Sequence, residues 1–306
     1  MRICHSCGAE VQDDFRHCTR CGTELSAAEA ITVKDRLFAF FKAYICTLFF
    51  KAFTYAAIIV TVIVCTAAGV LLFGSYDSVY EWCQSPDGSS ILTAITYLLF
   101  IGVLICIITL RRRPLKAELC IRRVPFISLP LAALCGYSGN LVYIRAMNII
   151  PWPKRIIESH MDAYGDIGAD GSSLILTMVV TAVMTGIIEE IVFRGLVIPR
   201  LRRAFSPVAT LIISGAFFGA AHPTLFAFCY SFILGIFLGA VYLRFNSVLP
   251  CIVLHTFFNL AACIGYPEST MFFLIAVPVC IVVHAASGTI LLKTNCLIDS
   301  NKNHRN

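Results

Sequence analysis

Residues 173–197 read SLILTMVVTAVMTGIIEEIVFRGLV, an apolar run broken by charge only at Glu189, Glu190 and Arg194. At about 1.5 Å per residue, a helix of this length crosses the roughly 30 Å hydrocarbon core of a bilayer. Seven further apolar runs accompany it, at 52–73, 91–110, 125–144, 207–223, 227–244, 249–266 and 271–292. The run at 125–144 is the weakest, because Ser138, Gly139 and Asn140 interrupt it. Composition agrees: 58% of the 306 residues are hydrophobic, 14% are charged, and the mean hydropathy is +0.81. A soluble domain carries about 25% charged residues. Soluble, fibrous and disordered classes are excluded, and the expected fold is all-α, a polytopic membrane bundle of about eight transmembrane helices.

The arrangement of basic residues predicts orientation. Loop 111–123 (RRRPLKAELCIRR) carries six, and Arg200, Arg202, Arg203 and Arg244 mark two further loops on the same side. On the other side, loop 74–90 has none, and in 145–172 Arg145, Lys154 and Arg155 are offset by Glu158, Asp162, Asp166 and Asp170. With an even number of spans, both termini are expected in the cytosol, and the net charge of +6 is mainly a topology signal. The polar first 30 residues lack the basic-then-apolar pattern of a cleavable signal. Segment 34–51, with Lys34, Lys42 and Lys51 among aromatics, reads as an amphipathic interfacial lead-in. The expected division is 1–26 a metal module, 27–51 linker and interfacial helix, 52–292 the membrane domain and 293–306 a cytosolic tail.

Cys4-His-Ser-Cys7 and Cys18-Thr-Arg-Cys21 are two Cys-x-x-Cys turns, each followed by a glycine, Gly8 and Gly22. Two such turns present four thiolates to one tetrahedral Zn²⁺. Disulfides and a redox pair are the competing readings. A cytosolic location disfavours the first, and a module this small has almost no core without a metal. The module resembles a small zinc ribbon with a structural zinc. Arg2, Arg16 and Arg20 sit among Glu10, Asp13, Asp14 and Glu24, a poor phosphate-binding patch, so a protein partner is expected and nucleic acid is disfavoured. The other eleven cysteines are scattered singly and imply no intramolecular disulfide.

Of eighteen carboxylates, only Glu189 and Glu190 lie within an apolar run. Burying such groups costs about 2.5–3.5 kcal/mol each on the lenient insertion scale, so they mark function by default. Glu190 and Arg194 are four residues apart and can pair along one helix face, while Glu189 is rotated about 100° away. A structural ion pair locking helices together is the competing reading. His222 ends the next run, four residues after Phe218, and His255 and Asn259 share a face of the seventh. Carboxylate, imidazole and amide together suit water-mediated acyl chemistry: a base for water, a group to orient it, and donors for an oxyanion.

Glu189-Glu190-x-x-x-Arg194, Phe218-x-x-x-His222 and His255-x-x-x-Asn259 resemble, in order and rough spacing, the three motifs of the CPBP (Abi) intramembrane proteases, which include the type II CAAX prenyl endopeptidases. The resemblance covers about 170–265. It implies a helical membrane fold with a cavity opening to the cytosol. It further implies Glu189 as the base activating water, His222 helping to hold that water, and His255 with Asn259 on the oxyanion side. Glu190, Arg194 and Phe218 would support the architecture. Substrates would be peptides or proteins, prenylated CAAX tails or bacteriocin-type precursors. Two histidines and a glutamate can also bind Zn²⁺, but the short His-Glu-x-x-His arrangement is missing and Glu–His activation of water needs no metal.

Measured from the middle of each run, straight helices would put Glu189 and His222 about 15 Å apart along the membrane normal. Their convergence therefore requires tilted or shifted helices, or a break near Pro207. Two other function classes stay open. A proton-coupled transporter also uses intramembrane Glu, His and Arg, though no inverted repeat is seen. A non-enzymatic scaffold or immunity-type protein would depend on the ribbon cysteines and be indifferent to Glu189. His160, His284 and His304 are expected to be surface or packing residues.

Overall fold

The computed structural model describes residues 31–73, 76–164, 173–264 and 270–293, together with a two-stranded antiparallel pair, β1 (Arg2–Ile3) and β2 (Glu10–Val11). Cys4, Cys7, Cys18 and Cys21 lie outside the described residues. The remainder is helical. α1 is Val33–Phe73, α2 Tyr76–Gln84, α3 Pro86–Leu110, α4 Leu115–Glu118, α5 Ser128–Ile149 and α6 Lys154–Tyr164. α7 is Leu174–Leu201, α8 Pro207–Ala220, α9 Leu225–Phe245, α10 Leu249–Ile264 and α11 Thr270–Lys293. Eight of these fall one to one on the eight apolar runs. Val33–Leu71, Pro86–Leu110, Leu174–Leu201 and Leu225–Phe245 are long and apolar enough to cross a membrane, and shorter apolar helices lie at 207–220, 249–264 and 278–293. The chain is a helical membrane bundle.

The helices start where local chemistry satisfies their first N–H groups. Thr32 and Asp35 bond reciprocally at the head of α1, a capping-box arrangement. Ser85, Ser206 and Thr224 accept from the backbone N–H three residues on, and Pro86 and Pro207 follow the two serines. α9 ends on Asn246 with φ of 49°, the left-handed cap.

The segment expected to lie in the interface, 34–51, is continuous with the first span as one 41-residue helix. A buried stripe of Ala39, Ala43, Thr47 and Phe50 keys it into the bundle, and aromatic contacts hold it there. Phe40 lies 5.3 Å from Phe217, and Phe50 lies 5.2 Å from Phe100 and 6.5 Å from Phe193, between ring centroids. A lead-in with this buried face is not free to lie flat.

Small residues set the closest helix crossings, as expected where lipid gives no hydrophobic drive between helices. A Cβ on Gly136 would sit 2.0 Å from the carbonyl oxygen of Leu254, so α5 and α10 touch backbone to backbone. Ser138 turns its hydroxyl back to the carbonyl of Leu134, and Asn140 is buried. The residues that weaken this run as a span therefore face inward. On the arginine-rich side, segment 119–122 is clamped to the α9–α10 turn. Val248 N–H donates to the Cys120 carbonyl at 3.1 Å, and the Ser247 hydroxyl donates to the Arg122 carbonyl at 2.9 Å. Ser247 and Val248 are fully buried, so α10 begins inside the bundle rather than at its surface.

Candidate active site

Wide i→i+5 turns occupy Met178–Met184 and Ile191–Val197 of α7, on either side of the glutamates. Such π-bulges shift the face a helix presents and recur at functional sites. Between them, Glu189 and Glu190 both turn inward, 8% and 0% exposed. Arg194 is also fully buried: Nη1 donates to Glu190 Oε1 at 2.8 Å and Nη2 to the Gly235 carbonyl at 3.0 Å. The guanidinium carbon stands 4.6 Å from the centre of the Phe218 ring. Glu190 is bound a second time, by His255 Nδ1 at 2.9 Å. That contact ties α10 to α7 and turns the other imidazole nitrogen toward Glu189, Nε2 standing 3.9 Å from its Oε2.

Phe218 is the hub. Its ring makes edge contacts with Phe193, His222 and His255, at centroid distances of 5.0, 5.1 and 5.6 Å. Its carbonyl lies 3.0 Å from His222 Nδ1. A carbonyl only accepts, so Nδ1 carries the hydrogen and Nε2 is the acceptor. Asn259 donates one Nδ2 hydrogen to the Thr181 carbonyl at 3.3 Å. Glu189 Oε2 has no hydrogen-bond partner among the described residues.

Glu189, His222, His255 and Asn259 all line one cavity of about 440 Å³. Glu190 and Arg194 lie behind its wall. The 15 Å separation of Glu189 from His222 disappears because the two helices share an origin at loop 202–206. Counted from it at about 1.5 Å per residue, Glu189 lies about 18 Å along α7 and the end of α8 about 20 Å along. Run middles were the wrong reference, since α7 extends to 201 and α8 stops at 220.

The cavity residues that were missed include Lys51, Asn140 and His160, besides Thr181, Thr185, Tyr230 and Ser231. Lys51, read as an interfacial lysine, lines it because α1 is a continuous rod. Asn140 lines it from α5. His160, expected to be a surface or packing residue, lines it from α6, with Nδ1 3.1 Å from the Thr224 hydroxyl and its ring 4.6 Å from Phe226. Burial pushes the His160 imidazole below its ordinary range. The one available signal was a lone histidine on the inner face of a short amphipathic helix. His284, by contrast, packs on Cys135.

No group of three His, Cys, Asp or Glu side chains among the described residues is placed to hold a metal ion. Glu190 is committed to Arg194 and His255, and the Nδ1 atoms of His222 and His255 are bonded, whereas Glu189 Oε2 and the Nε2 atoms of both histidines make none of these bonds.

Fold and cavity together define a polytopic helical membrane protein with a buried glutamate–histidine–asparagine cluster. Residues 171–261 match the family model described as type II CAAX prenyl endopeptidase Rce1-like, and residues 3–25 match that of a zinc-ribbon domain. The first match covers the part of the chain that holds Glu189, His222, His255 and Asn259, and the second its amino-terminal end. No curated protein and no solved structure gives a significant match.

Proposed function

We propose that the chain is an intramembrane endopeptidase in which Glu189 activates water for hydrolysis of a peptide bond. The convergence of Glu189, His222, His255 and Asn259 on one cavity inside an apolar bundle carries this reading. Glu189 offers an oxygen with no hydrogen-bond partner among the described residues, and His222 offers Nε2 as an acceptor for the same water. Glu189 takes a proton from the water, and the resulting hydroxide forms a bond to the carbonyl carbon. The oxyanion faces Asn259, whose second amide hydrogen remains after its bond to Thr181, and His255. His255 donates from Nε2 only with both ring nitrogens carrying hydrogen, because Nδ1 is already bonded to Glu190. The C–N bond then breaks as Glu189 returns the proton to the leaving amine. Glu190 and Arg194 hold α7, α9 and α10 in register. No step requires a metal.

The substrate is a peptide or protein, lipidated or not, of the CAAX-tail or precursor-processing kind that the family match supports. The arginine-rich loops are cytosolic, with both termini on that side. The ribbon at 1–26 holds a structural Zn²⁺ through Cys4, Cys7, Cys18 and Cys21, and serves a protein partner. A cleavage assay of purified protein across a peptide library tests the reading. Activity is expected in wild type and lost in Glu189→Gln, His222→Ala and His255→Ala; activity surviving Glu189→Gln sinks the mechanism.

A further inference from the structure

Of the two adjacent glutamates on α7, the arginine on the same helix serves one. Arg194 gives Nη1 to Glu190 and Nη2 to the Gly235 carbonyl, so its hydrogen bonds pass Glu189 by. An ionised carboxylate inside an apolar bundle is unfavourable unless a cation lies near it. Among the described residues that line the cavity, Glu189 is the only carboxylate and Lys51 the only lysine or arginine. Lys51 belongs to α1, outside the family match at 171–261.

The packing of α1 fixes where this lysine falls. Phe50, the residue before it, is buried and meets Phe193 edge-on at 6.5 Å, one turn past Glu189 on α7. Phe50 and Phe53 also flank the ring of Phe100, at 5.2 and 5.5 Å. α1 is thereby held along the Glu189–Phe193 turn, and Lys51 reaches the cavity wall. Its ammonium makes no hydrogen bond and no ion pair among the described residues, and lies 6.0 Å from the centre of the Tyr55 ring. The charge it interacts with is that of Glu189, and Lys51 acts in turn on His222. A charge pair in a water-poor site does not have to touch, because its attraction falls only as the inverse of distance and salt screens it little.

The other charged or titratable groups around Glu189 come from six helices. They are Tyr97 of α3, His160 of α6, Glu190 and Arg194 of α7, His222 of α8, Tyr230 of α9, and His255 and Cys263 of α10. Tyrosine and cysteine are ordinarily uncharged at neutral pH. His255 is the rival cation, with Nε2 3.9 Å from Glu189 Oε2, but its Nδ1 is bonded to Glu190 at 2.9 Å. A charge there serves Glu190 first.

We infer that Lys51 is the counter-cation of Glu189, a positioning residue supplied by α1 that keeps the base ionised and able to take a proton from water. Glu190 with Arg194 and Glu189 with Lys51 then form two balanced pairs, one in contact behind the wall and one across the cavity. The catalytic consequence rests on the endopeptidase reading; the pairing itself does not.

Two readouts test it on the purified full chain. In the cleavage assay, the acid limb of kcat/KM against pH reports ionisation of the base in the free enzyme. Removing a nearby cation disfavours the carboxylate, so in Lys51→Met the limb is expected about one pH unit or more toward higher pH. Lys51→Arg, which keeps the charge, is expected to leave the limb at its wild-type position. An unmoved limb in Lys51→Met overturns the inference. With KM raised at every pH, Lys51 is then a substrate anchor; with KM unchanged as well, His255 is the counter-charge. The second readout needs no activity. Infrared titration follows the protonated-carboxyl band that Glu189→Gln removes. Its midpoint is expected to rise in Lys51→Met by the same amount and to stay in place in Lys51→Arg. A midpoint that stays in place in Lys51→Met overturns the pairing. If the wild type cleaves no peptide, the endopeptidase reading falls and the infrared titration alone decides the pairing. Should Lys51→Met fail to fold, Lys51→Gln takes its place in both measurements.

Discussion

Glu189 and Glu190 are neighbours in sequence with opposite fates. Glu190 accepts from Arg194 and His255 at 2.8 and 2.9 Å, both through Oε1, while Glu189 lines the cavity and its Oε2 has no hydrogen-bond partner among the described residues. Their substitutions should therefore separate. Glu189→Gln is nearly isosteric and removes only the base, so it should lower kcat by about 10²–10⁴-fold. The thermal unfolding midpoint in detergent should stay at the wild-type value. Arg194→Met leaves the Glu190 carboxylate buried without its cation, which costs about 3–5 kcal/mol where such pairs have been broken. It should depress the unfolding midpoint sharply, whatever happens to activity. A stable but inactive Arg194→Met protein would transfer that residue from architecture to chemistry. The candidate residues were legible because charge inside an apolar run is costly and cannot be incidental. The Glu190–Arg194 pair was legible too, from its four-residue spacing, but the inward turn of both glutamates together was not, because the 100° per residue of an α-helix fixes direction only while the helix stays regular. The π-bulges at 178–184 and 191–197 reset that angle on both sides of the pair.

At the scale of elements, the crossings that bring α10 to its neighbours depend on missing side chains. Gly136→Leu drives a Cβ into the Leu254 carbonyl one residue from His255, so α5 and α10 must separate. Overpacking of this kind costs about 1–3 kcal/mol, and moving α10 takes His255 and Asn259 out of register with Glu189. Both the unfolding midpoint and the cleavage rate should fall. Gly102→Leu on α3 is the control, since a Cβ there meets nothing within 4 Å, and it should change neither. Element positions were largely readable from hydropathy, because a bilayer forces each backbone to satisfy its hydrogen bonds within its own helix. What lay beyond that reading was tertiary. Lys51 looked interfacial by spacing, yet Phe40, Phe50 and the Ala39–Ala43 stripe fix its helix upright and aim it into the cavity. His160 looked peripheral because a short loop helix gives no sign of what it covers. The depth of His222 was obscured because α8 stops at Ala220, three residues short of its apolar run.

For the whole molecule, the open relation is between the ribbon and the membrane domain. The ribbon match ends at residue 25, and α1 begins at Val33. If zinc belongs to the ribbon alone, metal and catalysis separate cleanly. The full chain should bind one zinc by elemental analysis, and a chain lacking residues 1–30 should bind none. Chelation should unfold the ribbon, because a module of this size gains most of its folding free energy from the metal. It should leave Glu189-dependent cleavage of a soluble reporter peptide intact in both chains. Slower cleavage of a natural substrate after chelation, with the reporter unaffected, would place the ribbon in substrate or partner capture. Loss of reporter cleavage on chelation in the shortened chain would instead require a metal at Glu189, His222 and His255, and would overturn the metal-free mechanism. The shortened chain decides the matter because chelation has only one possible target left in it.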